Sequence, residues 1–263
     1  MKKIILVPII LSLAISSSLY AADSADLAKQ LSNPVADLVS VPFQLNYDQN
    51  IGADEETERY QLNIQPVIPI KLNDDWNLIS RTIVPVNYQI YGESNRDDDW
   101  GIGDITQSLF FSPSQSTGLT WGIGPVLLFP TASEKSLGAD QYGAGPTFVV
   151  LKHMHGWTFG ALANHIWGVE NNGHAEDANS TYVQPFLSYT YPSSLTVGLN
   201  SETTYDWNTE DAAVPVNLTL TKVINLKGQA ISVGGSARYW IEDTDSSPKG
   251  WGARLIASFV FPK

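Results

Sequence analysis

The stretch "VSVPFQLNYD", residues 39–48, alternates apolar and polar without a break. Extended, it carries Val39, Val41, Phe43, Leu45 and Tyr47 on one side and Ser40, Pro42, Gln44, Asn46 and Asp48 on the other. A side-chain period of two specifies a β-strand with one apolar and one polar face. The fold then turns on what each face meets.

The same pattern recurs to the end of the chain. It is strongest in "ERYQLNIQPVIPIKL", "LTWGIGPVLLF", "WTFGALANHIWG", "LTVGLNSETTYDW" and the closing "WGARLIASFVF". Weaker runs fall at 76–88, 101–111, 141–152, 181–191, 213–222 and 230–241. With these the count is about twelve strands. An even number suits a closed antiparallel barrel with both termini on one side.

The connections alternate in length and chemistry. Short ones are Asn73–Asp75, Ser112–Gly118, His153–Gly156, Pro192–Ser194 and Asn225–Gln229. Longer ones are 49–58, 89–100, 131–140, 169–180, 208–212 and 242–249, and they hold acidic runs such as "ADEETE", "NRDDDW" and "NTED". Short turns at one end and long polar loops at the other are the asymmetry of an outer-membrane barrel.

Upstream of residue 39 the chain reads differently. "MKKIILVPIILSLAISSSLYAAD" has two lysines, an apolar run and small residues at its end, the signature of a secretory signal peptide over residues 1–22. About 240 residues remain, enough for one large β domain over 39–263. Residues 23–38 form a short helical segment: Leu27, Leu31, Val35 and Leu38 recur at helical spacing, and Asn33-Pro34 divides it into two turns. It either plugs the periplasmic mouth or lies along the membrane; its apolar spacing favours docking against the barrel, with a simple tether as the bland reading. With no cysteine, an exported chain of this size is stable without disulfides. A net charge of −12 makes nucleic acid a poor partner.

Alternation alone does not say which face meets lipid. Charges within strands (Asp48, Arg81, Asp104, Glu202, Asp206, Arg238 and Arg254) all lie opposite the main apolar stripe, which fits a soluble barrel as well as a membrane one. The aromatic residues decide. Trp76, Trp121 and Trp157 stand just after short turns, with Phe110, Phe111, Tyr189 and Tyr191 ending strands at the same level. Trp167, Trp207 and Trp251 stand at the other end with Tyr47, Tyr60 and Tyr88. Two belts about ten residues apart match a tilted transmembrane strand, and amphipathic rings settle at the headgroup level. The apolar stripe therefore meets lipid. Pro42, Pro66, Pro69 and Pro85 sit awkwardly in such strands, whose ladders are occupied on both sides.

Several segments also resemble the phenol-degradation meta-pathway (MetA-pathway) family of bacterial outer-membrane proteins. They include "LSNPVADLVSVPFQLNYD", "GDITQSLFFSP", "WGIGPVLLFPTA", "YGAGPTFVVLK", "WTFGALANHIWG" and "VQPFLSYTY". The resemblance spans roughly residues 31–263 and is specific as a series. Members are commonly labelled transporters, which implies a barrel linked to uptake of small aromatic or hydrophobic compounds. It carries over no ligand or catalytic residue.

The lumen set (Asp48, Arg81, Asp104, Glu202, Asp206, Arg238 and Arg254) holds the best functional candidates. The ninth, eleventh, twelfth and first strands are neighbours after closure, so Glu202, Asp206, Arg238, Arg254 and Asp48 can share one wall. They form either a charged constriction, as in pores, or a structural network that stiffens the wall, and both readings stand. Twelve strands lie between filled eight-strand barrels and open channels of about sixteen. The acidic loops read as a solvated rim, and "DTDSSPKG" at 243–250 lacks the glycine and terminal glutamate of a calcium loop. His153, His155 and His174 are too dispersed for a metal site. An outer-membrane phospholipase is the rival class; His165 has the right face, but no serine stands two residues away beside it. A closed structural or adhesive barrel is a third reading.

The expectation is an all-β, transmembrane antiparallel barrel acting as a passive outer-membrane channel, without a cofactor or catalytic residues. Its expected partners are outer-membrane lipid and lipopolysaccharide, a small-molecule solute and the barrel-assembly machinery.

Overall fold

Period-two segments separated by turn residues pair side by side, and here they pair all the way round. The computed structural model describes residues 24–92, 97–115, 118–169 and 177–261. The signal peptide expected over 1–22 lies outside the described residues, as does His174. Twelve antiparallel strands close into a barrel. They are β1 (Val39–Ile51), β2 (Thr57–Ile64, continuing as Val67–Lys71), β3 (Trp76–Ile90) and β4 (Asp99–Ile102, continuing as Ile105–Pro113). Next come β5 (Leu119–Phe129), β6 (Gly143–Met154), β7 (Trp157–Gly168) and β8 (Asn179–Thr190). The circuit ends with β9 (Leu195–Ser201, continuing as Thr203–Asp206), β10 (Asp211–Leu226), β11 (Gln229–Glu242) and β12 (Gly250–Phe261). Closure is made by β1, where Leu45 stands opposite Leu62 of β2 on one side and Leu255 of β12 on the other. A closed ladder leaves no edge, which is what allows a sheet to cross lipid.

Three strands are interrupted, and proline explains where. The ladder of β2 breaks at Gln65–Pro66, that of β4 at Gly103–Asp104 and that of β9 at Glu202. Pro66 occupies the first gap. Pro85 faces the second, its carbonyl accepting from the Gly103 N–H at 2.8 Å. Pro215 faces the third, between the pairs Ser201↔Val216 and Thr204↔Ala213. Proline offers no N–H to a ladder, so a neighbour opposite it is free to depart from strand geometry. Pro69 lies beyond the start of β1, whose lowest pair with this strand is Ser40↔Val67, so that side needs no donor.

The outward face is apolar and ends in two aromatic belts. Near the short turns Trp76 meets Trp121, and Trp157 meets Tyr189. At the other end Tyr47, Tyr60 and Tyr88 run in a row, Tyr239 packs on Trp251, and Tyr205 on Trp207. One residue assigned to a belt from sequence is corrected. Phe110 is fully buried inside the barrel, and only its neighbour Phe111 faces lipid, because successive side chains on a strand point to opposite faces.

The interior divides into two sectors. From β2 through β7, Val67, Ile79, Phe110, Val149, Leu151 and Leu162 form an apolar cluster, with Tyr182 and Phe186 of β8 packed on it. The opposite wall, from β9 round to β1, is polar. Into the apolar sector reaches the N-terminal segment: residues 24–31 are helical, and Val35 joins the cluster. Only the first of the two helical turns read from sequence forms; Asn33 instead closes a tight turn, its Oδ1 accepting from the Val35 N–H at 2.9 Å. Ala25, Ala28 and Ala36 are the buried contacts of this segment, and Leu27 and Leu31 are only half-buried. Small side chains fit where a helix enters a crowded mouth.

Candidate functional site

Glu202 sits at the interruption of β9, where its side chain projects into the lumen. It crosses to β12 and meets Arg254 in a two-pronged pair, Nη1 to Oε1 and Nη2 to Oε2 both at 2.7 Å. Planar guanidinium and carboxylate match in this geometry, which strengthens and orients the bond. Arg254 Nε also donates to Asn46 Oδ1 of β1 at 2.5 Å.

The same asparagine oxygen accepts from Arg238 Nη1 at 2.9 Å, joining β11 to the cluster. Arg238 lies 3.3 Å from Asp48 Oδ1 and 3.8 Å from Glu202 Oε2, and its Nε donates to Asn217 at 3.1 Å. Its guanidinium stacks 5.5 Å over the ring of Trp240. Asn217 passes the network on to Asn200 at 2.7 Å. Room for this comes from Gly252, which faces Arg238 across the ladder: a Cβ there would stand 2.8 Å from the Tyr47 carbonyl and 3.0 Å from Asp48 Oδ1. Asp48 is 1% exposed and Arg254 6%, so these charges survive only because each is paired and hydrogen-bonded.

Not every candidate enters the cluster. Asp48, Glu202, Arg238 and Arg254 come together; Asp104 and Asp206 do not. Asp104 accepts from the Ala132 N–H at 3.1 Å and the Ala139 N–H at 2.5 Å, fixing the long loop after β5. Asp206 takes the Asn208 N–H at 2.8 Å and caps the turn into β10. Both stand at the loop-bearing end of the barrel, where backbone donors lack ladder partners. Arg81 lies apart on β3, with Gln65 Oε1 at 3.0 Å; Gln65 in turn reaches Gln44 at 3.2 Å.

Two features escaped sequence reasoning. Arg59 of β2 lies 3.6 Å from Asp48 and belongs to the cluster; its parity with Asn63 and Gln61 on the polar face was the available signal. The apolar inner wall is the other. Its signal was runs such as "LFF" and "FVVL", apolar on both parities, which mark strands covered on both faces.

Beneath the Glu202–Arg254 pair lies a cavity of about 250 Å³. Arg81, Gln65 and Gln184 line it on the polar side, Val67 and Phe186 on the apolar side, and Leu31 and Pro34 of the N-terminal segment form its floor. A closed barrel with a lipid-facing stripe, two aromatic belts and a charged waist defines an outer-membrane-type barrel.

The family profile described as "Putative MetA-pathway of phenol degradation" matches residues 35–256, and the chain belongs to that family. No curated protein matches the sequence. Among solved structures, an outer membrane channel from Pseudomonas putida F1 is similar with a TM-score of 0.65 at 15% identity, over 85% of this chain and 96% of that one. The NanC porin aligns at 0.51 and 10% identity, over 86% of this chain and 100% of its own. These likenesses are likenesses of fold.

Proposed function

We propose that this protein is a passive outer-membrane channel for small solutes with an apolar or aromatic body, held shut at its periplasmic mouth by residues 24–38. The observation that carries the reading is a two-sided lumen cavity, lined by Arg81, Glu202 and Arg254 on one side and by Val67, Phe186 and the apolar side chains of the N-terminal segment on the other. A uniformly polar lumen would serve hydrophilic solutes, and a filled one would serve none. Here an apolar body has surface to leave water against, and polar groups remain to orient it.

The N-terminal segment is the natural stopper because Val35 anchors it in the inner cluster and its leucine and proline side chains form the floor of the cavity. We read no catalytic step into the barrel. His165 Nδ1 meets the Thr181 hydroxyl at 2.7 Å, and that hydroxyl also accepts from Trp207 Nε1 at 2.8 Å. This set belongs to the outer aromatic belt, with the His165 ring 4.1 Å from that of Trp167 and tilted 51° to it.

Conductance in a planar bilayer tests the reading. The chain from residue 23 is expected to show small or rare steps, and Val35→Asn, which puts an amide into the apolar cluster, is expected to raise their size or frequency. Uptake of toluene-sized solutes into proteoliposomes should rise in parallel. Silence of both proteins in both assays would overturn the channel reading.

A further inference from the structure

Arg81 is the lumen charge that the cluster leaves over. The one hydrogen-bond partner of its guanidinium among the described residues is the neutral amide of Gln65. Glu202 lines the same cavity, yet both its oxygens are engaged by Arg254. A guanidinium has five N–H donors in a fixed fork. Across the lumen, four guanidiniums (Arg59, Arg81, Arg238 and Arg254) face two carboxylates (Asp48 and Glu202). The waist of an otherwise acidic chain is therefore cationic, and its excess points at the cavity that Arg81 lines.

We propose that this cavity is a binding site for a small amphipathic anion, with its oxyanion head on Arg81 and its apolar body against Phe186, Val67 and the N-terminal segment. The proposal rests on the channel reading and narrows it to a solute class. Two features of the site set that class. An apolar body alone would not use Arg81, and an inorganic anion would leave the Phe186 and Val67 side unused. At about 250 Å³ the space lies just below the usual range of about 300–1,000 Å³ for small-molecule sites, which favours a single ring or a short chain over a long acyl tail. Gln65, bonded to Arg81, and Gln184, which lines the same cavity, supply amide groups to complete the head's hydrogen bonds. The acidic outer loops do not cancel this preference, because exposed charges more than about 8 Å away are largely screened at physiological salt.

The probe pair is benzoate and benzamide, equal in shape and different in charge. Binding to the refolded chain from residue 23 is measured by saturation-transfer NMR, with conductance recorded on the same preparation. Benzoate is expected to bind about tenfold more tightly than benzamide, the margin of a charge-assisted over a neutral hydrogen bond. Arg81→Gln should abolish that margin, Arg81→Lys should keep part of it, and Lys249→Gln in an outer loop should leave it unchanged. Equal binding of the two probes, no benzoate binding, or a margin that survives Arg81→Gln would overturn the proposal. If the protein still conducts, only the anion site fails; if it neither conducts nor takes up any solute, the channel reading fails with it.

Discussion

The Glu202–Arg254 pair gives the most direct test of how the waist is held. Its two bonds are both 2.7 Å, and the side chains are 17% and 5% exposed. Two unit charges about 4 Å apart attract by about 4 kcal/mol at an effective dielectric constant of 20. Removing one partner of a buried pair costs about 3–5 kcal/mol, because the survivor is left uncompensated. Glu202→Gln strands Arg254 and weakens the environment of Arg238, and residual exposure of Glu202 puts the expected cost at the lower end, about 3 kcal/mol. Arg254→Gln should cost about 2 kcal/mol, since Arg238 remains 3.8 Å from Glu202. The double variant loses the pair cleanly and is expected to cost little more than Glu202→Gln alone, a coupling of about 2 kcal/mol. Urea unfolding of the refolded barrels, followed by tryptophan fluorescence and by gel mobility of folded and unfolded forms, measures all four corners of the cycle. Coupling below about 0.5 kcal/mol, the range of exposed pairs, would show that the waist is solvated like a surface and would refute the reasoning.

Other substitutions separate the two faces of the wall. Phe110→Ala should destabilise the barrel by about 3–5 kcal/mol by opening a cavity in the inner cluster, whereas Phe111→Ala, one residue away and facing lipid, should cost far less because acyl chains fill the space. Both are read from urea midpoints. Leu255→Arg, on a lipid-facing side chain that is 65% exposed, should cost about 2–4 kcal/mol if it lies near mid-bilayer; a neutral outcome in lipid vesicles would mean that the faces are inverted. Gly145→Ala should block refolding or lower stability sharply, because a Cβ there would overlap the His165 carbonyl of the neighbouring strand. The folded band on a gel is the readout.

Much of this architecture was legible in the chain because one physical rule repeats in it. A strand with lipid on one side and lumen on the other alternates strictly, so "VSVPFQLNYD" and its successors announce their number, their faces and their belts. Turn and loop lengths alternate for a similar reason, since each end of a closed antiparallel barrel collects every second connection. The helical segment was also legible, although its buried side proved to be Ala25 and Ala28 rather than Leu27 and Leu31.

What the sequence left open depends on distances across the lumen. Parity places Asp48, Glu202, Asp206 and Asp104 on one face, yet only the first two reach arginines. The others stand at strand ends, where loop N–H groups capture them. Nor does parity say that Glu202, three strands away from β12, spans the lumen to Arg254, or that Arg81 is left with an amide for a partner. The prolines show the same limit: their missing donors are visible in the sequence, but that they stand opposite the gaps at Gly103 and Glu202 depends on register. Alternation is a local property set by backbone geometry and by the two solvents of the wall. Pairing across an interior is set by strand order, register and tilt, and only the closed barrel fixes those.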